Sequence, residues 1–276
     1  MPELPEVETT CLGLSKVLLG ARVLKVEVNR ADLRLPIPTR LPEKLKGRTV
    51  KAVYRRAKYI VMTLDDGHAL LLHLGMSGRL VVGDPDEARA KHDHVVLHCD
   101  GNRTLRFNDP RRFGMLDLCP VAALDGHPLI KDLGVEPLGK KLTAGYLGKK
   151  FSGRKMPIKS ALLDQRIIAG LGNIYVSEAL FHAGIRPTRL AGTLEPAELA
   201  ALVQAIRKVL RAALKAGGSS LRDYVQSDGE LGYFQNQFAV YDRENRSCPG
   251  CSCGKAAITR VVQSGRASFY CPYRQV

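Results

Sequence analysis

The chain has 276 residues, 45% of them hydrophobic, with 42 Lys+Arg against 27 Asp+Glu and a formal charge of +15. That is enough apolar material for two modest domains with cores of their own, and so basic a balance points to a polyanionic partner, nucleic acid ahead of an anionic membrane. No apolar run reaches the roughly 18 residues of a spanning helix and no basic-then-apolar leader opens the chain, so a membrane-inserted or exported protein is not expected and a cytoplasmic one is.

The first residues, Met1-Pro2-Glu3-Leu4-Pro5-Glu6, permit two readings. Both prolines suit the first turn of a helix whose N-terminal dipole favours Glu3 and Glu6, and Val7, Cys11, Leu14 and Leu18 continue one apolar face until Gly20. If Met1 is removed, as a small second residue favours, Pro2 also presents a secondary amine between two carboxylates. An α-amino group titrates near about 8, so part of it is nucleophilic at neutral pH. Attack by proline on a sugar C1′ yields an iminium that cannot lose a proton to become a neutral imine. Helix start and nucleophile are compatible.

Residues 21 to about 119 read as strands. Leu24, Val26 and Val28 alternate, Tyr59–Leu64 and Ala69–Leu74 flank the turn Asp65-Asp66-Gly67, and Val95–Cys99 and Thr104–Phe107 flank Asp100-Gly101-Asn102. This predicts an antiparallel sandwich or flattened barrel with a helix at its N-terminus. A Gly/Pro segment, Leu133-Gly134-Val135-Glu136-Pro137-Leu138-Gly139, marks a hinge, and the second half is mainly helical. Its clearest helix runs from about Glu195 to Ala216, with Leu199, Leu202, Val203, Ile206, Val209, Leu210 and Leu214 on one stripe and Gly217-Gly218 closing it. Cys248, Cys251, Cys253 and Cys271 crowd the C-terminus, which in a reducing compartment favours metal over disulfides.

Five segments occur in order: Pro2-Glu3-Leu4-Pro5-Glu6-Val7-Glu8, Arg55-Arg56-Ala57-Lys58-Tyr59, His73-Leu74-Gly75-Met76-Ser77-Gly78, Asn108-Asp109-Pro110-Arg111-Arg112-Phe113-Gly114, and Gly170-Leu171-Gly172-Asn173-Ile174-Tyr175. With these strings the chain resembles, over nearly its whole length, the bacterial formamidopyrimidine-DNA glycosylases, which excise oxidised purines such as 8-oxoguanine and formamidopyrimidines and then cut the abasic strand. The resemblance implies an α+β protein of two domains. An N-terminal catalytic β-sandwich with an N-terminal helix would span 1–132, followed by a hinge over 133–143. A helix-two-turn-helix domain would span 144–243, with a lesion-capping loop at 217–238, and a β-hairpin zinc finger would span 244–276. It also implies a monomer acting on double-stranded DNA at the bacterial nucleoid.

The roles carried over by resemblance are these. Pro2 attacks C1′, Glu3 is the acid at the deoxyribose ring, and Glu6 shuttles protons or orders water beside it. Lys58 donates a proton in the first elimination and Arg266 in the second. Met76, Arg111 and Phe113 fill the hole left by an everted nucleotide, which otherwise costs a few kcal/mol of lost stacking. His73, His92, Arg112, Arg154 and Asn173 meet the DNA, and Arg154, Lys155 and Lys159 add nearby charge. Without the motif, Lys58 reads as one more solvated cation and Met76 and Phe113 as strand core. The family's finger has two Cys-x-x-Cys knuckles, whereas here the second is Cys271-Pro272-Tyr273-Arg274. Cys248, Cys251, Cys253 and Cys271 would then supply an all-thiolate set for one structural zinc, Cys253 replacing the cysteine expected at position 274. Two other activities fit parts of the pattern: the sister endonuclease branch that removes oxidised pyrimidines, and a DNA-binding protein without chemistry.

Overall fold

The computed structural model describes residues 1–219, 232–250 and 257–276. Cys251, Cys253 and the middle of the expected capping loop lie outside those described residues. The chain divides into two compact units, 1–131 with 216–233, and 132–215 with 234–276.

The first unit opens with helix α1 (Leu4–Leu18), begun by a reciprocal capping box between Glu3 and Glu6. Leu19 and Gly20 end it, Gly20 at φ +79°. There follow β1 (Val23–Val28), the short α2 (Leu41–Leu45), β2 (Val50–Arg56), β3 (Tyr59–Leu64), β4 (His68–His73), β5 (Arg79–Gly83), β6 (Asp93–Cys99), β7 (Arg103–Asn108) and β8 (Met115–Pro120). They form two antiparallel sheets of four strands, ordered β1-β6-β7-β5 and β2-β3-β4-β8. Both expected hairpins are present, with Thr63 paired to Ala69 and Cys99 to Arg103. Val26, Val53, Ile60, Leu72, Val95, Leu97 and Phe107 share one buried cluster with Val7, Cys11, Leu14 and Leu18 of α1, so the helix belongs to the sandwich core. The alternation expected of β1 does not hold. A register shift between Val23 and Lys25 turns Leu24 outward, while Val23 and Val26 face the core.

The second unit contains α3 (Ala144–Phe151), α4 (Ile158–Leu163), α5 (Asn173–Ala183), α6 (Pro196–Lys215) and the hairpin β9 (Thr259–Gln263) with β10 (Arg266–Tyr270). The apolar stripe of α6 is buried as its spacing requires, with Leu214 half-buried at its edge. Glu178 on α5 is buried and accepts the backbone N–H groups of Ala239, Val240 and Tyr241 at 2.8, 3.0 and 2.8 Å, tying the approach to the hairpin onto the helix. Edge-on ring contacts then run from Phe238 through Tyr241 to Phe269 on β10. Among the described residues, no helix is long and apolar enough to cross a membrane.

Candidate active site

Pro2, Glu3 and Glu6 are buried, while Met1 is exposed. The Glu3 N–H donates to Glu6 Oε2 at 2.8 Å, and Glu6 Oε1 accepts from both the N–H and the hydroxyl of Ser219, at 2.8 and 3.0 Å. Gly218 lies so close that a Cβ there would come within 3.1 Å of the Glu6 carboxylate, and its φ of +80° also disfavours a side chain. Glu6 therefore joins the start of α1 to the segment that leaves α6. A carboxylate already accepting three donors is an anchor before it is a proton shuttle.

Lys58 occupies the two-residue turn between β2 and β3, after Ala57 at φ +54°. It is only 6% exposed, which removes the solvated-cation reading. Arg55, also drawn inward, donates to Glu8 of α1 at 2.6 Å and to the Ala57 carbonyl at 3.0 Å. One guanidinium thus couples the helix that carries Pro2 and Glu3 to the turn that presents Lys58. His73 pairs across the strands with Tyr59, their rings 4.9 Å apart. Its burial, with the nearby positive charges of Lys58 and Arg34, lowers its pKa to about 4. The ring is neutral at pH 7, and because Nδ1 accepts the Gly75 N–H at 3.0 Å its proton resides on Nε2, a neutral donor beside Lys58.

The three expected gap-filling side chains sit on two loops held backbone to backbone. Gly75 has φ +59°, and a Cβ there would fall 2.4 Å from the Phe113 carbonyl carbon, so only glycine permits the approach. Met76 and Phe113 are 39% and 42% exposed, which excludes a core role, and the Arg111 guanidinium lies 5.0 Å above the Phe113 ring. Asp109, fully buried, organises the pair of loops. It accepts the Ser77 hydroxyl at 2.6 Å and the Gly114 N–H at 2.7 Å, while Ser77 Oγ accepts the Arg111 N–H at 3.1 Å. The Asp109 backbone bonds the His92 carbonyl and His94 Nε2, which brings half-buried His92 to the same edge. Arg112 is exposed beside them at φ +59°.

In the second unit, Arg154 is half-buried and donates to the Lys150 carbonyl at 2.6 Å. Asn173 begins α5, its Nδ2 donating to the Ala267 carbonyl at 3.0 Å. Its Oδ1 is buried with no hydrogen-bond partner among the described residues. Arg266 is exposed at the hairpin tip, immediately before Ala267. Lys159 departs from its expected place in a DNA-facing charge cluster: it is 1% exposed, turned into the fold.

Cys248 and Cys271 are both buried, their sulfurs 3.3 Å apart, well beyond the roughly 2.05 Å of a disulfide. The geometry suits two thiolates of one soft-metal set, although no cluster of three metal-ligating side chains occurs among the described residues. At position 274 the guanidinium lies 4.6 Å above the Phe181 ring. The knuckle is closed instead by Gln275, whose Oε1 accepts the Cys271 N–H at 2.8 Å and whose Nε2 donates to the Ile185 carbonyl at 2.9 Å. Arg186 adds donors to the Pro272 and Gln275 carbonyls.

Asp109, Ser77 and Arg55 were not singled out by the sequence reading, yet they hold the site. The signal available was an Asp-Pro turn within a motif, a common setting for a side chain that caps later backbone amides.

Residues 1–116 match the profile of the formamidopyrimidine-DNA glycosylase N-terminal domain, and residues 133–225 that of the formamidopyrimidine-DNA glycosylase H2TH domain. The chain is 54% identical over 282 residues to a formamidopyrimidine-DNA glycosylase of Cereibacter sphaeroides, covering 99% of each chain. Among solved structures it is similar to the MutM (Fpg) protein of Thermus thermophilus, with TM-score 0.88, 39% identity, and 99% and 98% of the two chains covered. It is also similar to a Lactococcus lactis Fpg mutant in complex with Fapy-dG-containing DNA, with TM-score 0.92, 32% identity, and 99% of each chain covered.

Proposed function

The chain belongs to the formamidopyrimidine-DNA glycosylase family and is a base-excision DNA glycosylase and abasic-site lyase, and from that premise we propose that its chemistry runs through the amine of Pro2 on oxidised purines. Removal of Met1 frees that amine, since Pro2 is otherwise an amide. The Pro2 lone pair bonds to C1′ as the glycosidic C1′–N bond breaks and its electrons leave with the base. The nitrogen then loses its proton, and its lone pair forms the C1′=N bond as the C1′–O4′ bond breaks, with Glu3 giving its proton to O4′ so that the sugar ring opens. The resulting iminium acidifies C2′–H, and loss of that proton expels the 3′ phosphate. A second elimination expels the 5′ phosphate and leaves a one-nucleotide gap.

Lys58 supplies the proton in the first elimination and Arg266 in the second. His73, as a neutral Nε2–H donor, meets a phosphate without changing charge near pH 7. Met76 and Phe113 wedge into the stack, and Arg111 hydrogen-bonds the orphaned cytosine. His92, Arg112, Arg154 and Asn173 orient the duplex through its backbone, which positions without reading sequence. The observation that carries this reading is the Arg55 bridge, which sets a buried lysine in register with the helix of Pro2 and Glu3.

Cys248, Cys251, Cys253 and Cys271 would hold one zinc ion, whose contribution is structural: it clamps the base of the hairpin that presents Arg266. The protein works in the bacterial cytoplasm as a monomer.

Borohydride trapping on duplex DNA with 8-oxoguanine opposite cytosine tests the mechanism. A covalent adduct is expected that Pro2→Gly sharply weakens, and Lys58→Ala should slow strand cleavage. Failure of the wild-type protein to form any adduct would refute the lyase mechanism. A panel that includes thymine glycol tests the substrate: preference for thymine glycol would transfer the chain to the oxidised-pyrimidine branch.

A further inference from the structure

A two-stranded ribbon has little stability of its own, so the place of Arg266 at the tip of β9–β10 must be set by whatever grips the ribbon from outside. The turn itself is tight: Ser264 and Gly265 have φ +48° and +73°, and Gln263 pairs directly with Arg266. Val262 on the same ribbon is exposed, while Ala267 and Phe269 pack against the apolar cluster of the second unit. Polar contacts add to that hold next to Arg266. Lys159 Nζ, buried at the start of α4, donates to the Ala267 carbonyl at 2.6 Å and to Ser268 Oγ at 2.7 Å. The Ser268 hydroxyl in turn donates to Gln263 Oε1 at 2.6 Å, and Gln263 Nε2 donates to the Pro187 carbonyl at 3.2 Å. Asn173 Nδ2 adds a second donor to the Ala267 carbonyl. Beside this chain of bonds lies a groove of about 300 Å³ whose walls include Met156, Lys159, Ser160, Leu163 and Arg266 itself, so the tip has open space next to it.

We propose that Lys159 is the positioning residue for Arg266. Its ammonium group is turned into the fold and away from solvent. It holds the two residues after Arg266, so the guanidinium stands at a fixed height on the phosphate it serves. The proposal rests on the reading of Arg266 given above, and it predicts a selective defect: the second elimination suffers while the Pro2-dependent steps do not.

Lys159→Met and Ser268→Ala are compared with Arg266→Ala and the wild type under single turnover on saturating abasic-site duplex. Borohydride trapping and first strand cleavage are expected within about twofold of wild type, because nothing at Pro2 or Lys58 changes. The ratio of δ- to β-elimination product is expected to fall about tenfold in Lys159→Met and about threefold in Ser268→Ala, where the Ala267 contact survives. A second readout needs no catalysis: affinity for a duplex carrying a tetrahydrofuran abasic analogue, measured as a double-mutant cycle between positions 159 and 266. The two substitutions should be non-additive, since both remove one contact. An unchanged product ratio in folded Lys159→Met and Ser268→Ala, or additive affinity losses, would overturn the proposal. If Lys159→Met fails to fold, Ser268→Ala and its cycle with Arg266→Ala decide. Absence of any wild-type adduct would instead defeat the Pro2 mechanism, with the affinity cycle still testing the brace.

Discussion

The Ser77 hydroxyl donates to the Asp109 carboxylate at 2.6 Å, and through that bond the loop carrying Met76 and the loop carrying Arg111 and Phe113 become one rigid piece. Both groups are buried, so neither exchanges its partner for water. The proposed entry of Met76, Phe113 and Arg111 into the duplex demands that they move together, and this pair supplies the linkage.

Asp109→Ala is therefore expected to cost on the order of 2–4 kcal/mol, because it leaves the Ser77 hydroxyl and the Gly114 N–H buried without their acceptor. Denaturant unfolding with a constant m-value measures it. Ser77→Ala removes the smaller partner and should cost roughly 1–2 kcal/mol by the same measure. A change near zero in both would show that the loops are held by something else.

Phe113→Ala and Met76→Ala should behave in the opposite way. Their side chains are exposed, so unfolding free energies should stay within about 0.5 kcal/mol of wild type. Single-turnover excision from lesion duplex should nevertheless fall by about 10- to 100-fold, the equivalent of losing much of the stacking compensation. Stability and excision declining together would return these residues to the core.

His73 makes the fold sensitive to acid. Its folded-state pKa of about 4 lies below the ordinary value of 6.5, so the unfolded chain binds the extra proton first. Its contribution is fully present above pH 6.5, shrinks as pH falls from 6.5 towards 4, and is gone below that. Linkage makes the whole contribution on the order of 3 kcal/mol. Urea unfolding of wild type and His73→Gln between pH 4 and 7 should give a stability difference that narrows across that window. A difference independent of pH would mean that the imidazole is not held neutral.

Zinc content addresses the altered finger. Purified protein is expected to carry about one zinc per chain, and Cys253→Ser to carry markedly less. Zinc retained unchanged in the mutant would remove Cys253 from the ligand set. Gln275→Ala should lower stability by about 2 kcal/mol whether or not metal is bound, because it strips partners from the Cys271 N–H and the Ile185 carbonyl.

The two central hairpins were legible because alternation and turn chemistry agreed, and α6 because seven apolar residues shared a stripe that only a helix buries. The outward turn of Leu24 was not legible: the register shift after Val23 depends on the partner strand, nearly eighty positions away. Lys159 was misplaced for a related reason. Its neighbours are basic, its helix is too short for periodicity to separate faces, and the carbonyl and hydroxyl that draw it inward belong to Ala267 and Ser268 near the C-terminus. The residues proposed to react lay in recognisable strings, whereas the groups that hold them reach partners far along the chain: Arg55 reaches Glu8, Asp109 reaches Ser77, and Glu178 reaches the backbone of residues 239–241.

Glu6 grips Ser219, Ser219 bridges to Tyr233, and the Tyr233 N–H returns to the Ala216 carbonyl. Both ends of the intervening stretch are thereby moored beside the reactive amine. A change at Glu6 is therefore a change at both places at once: the carboxylate that opens the first helix is also what fixes residue 219, more than two hundred positions along the chain.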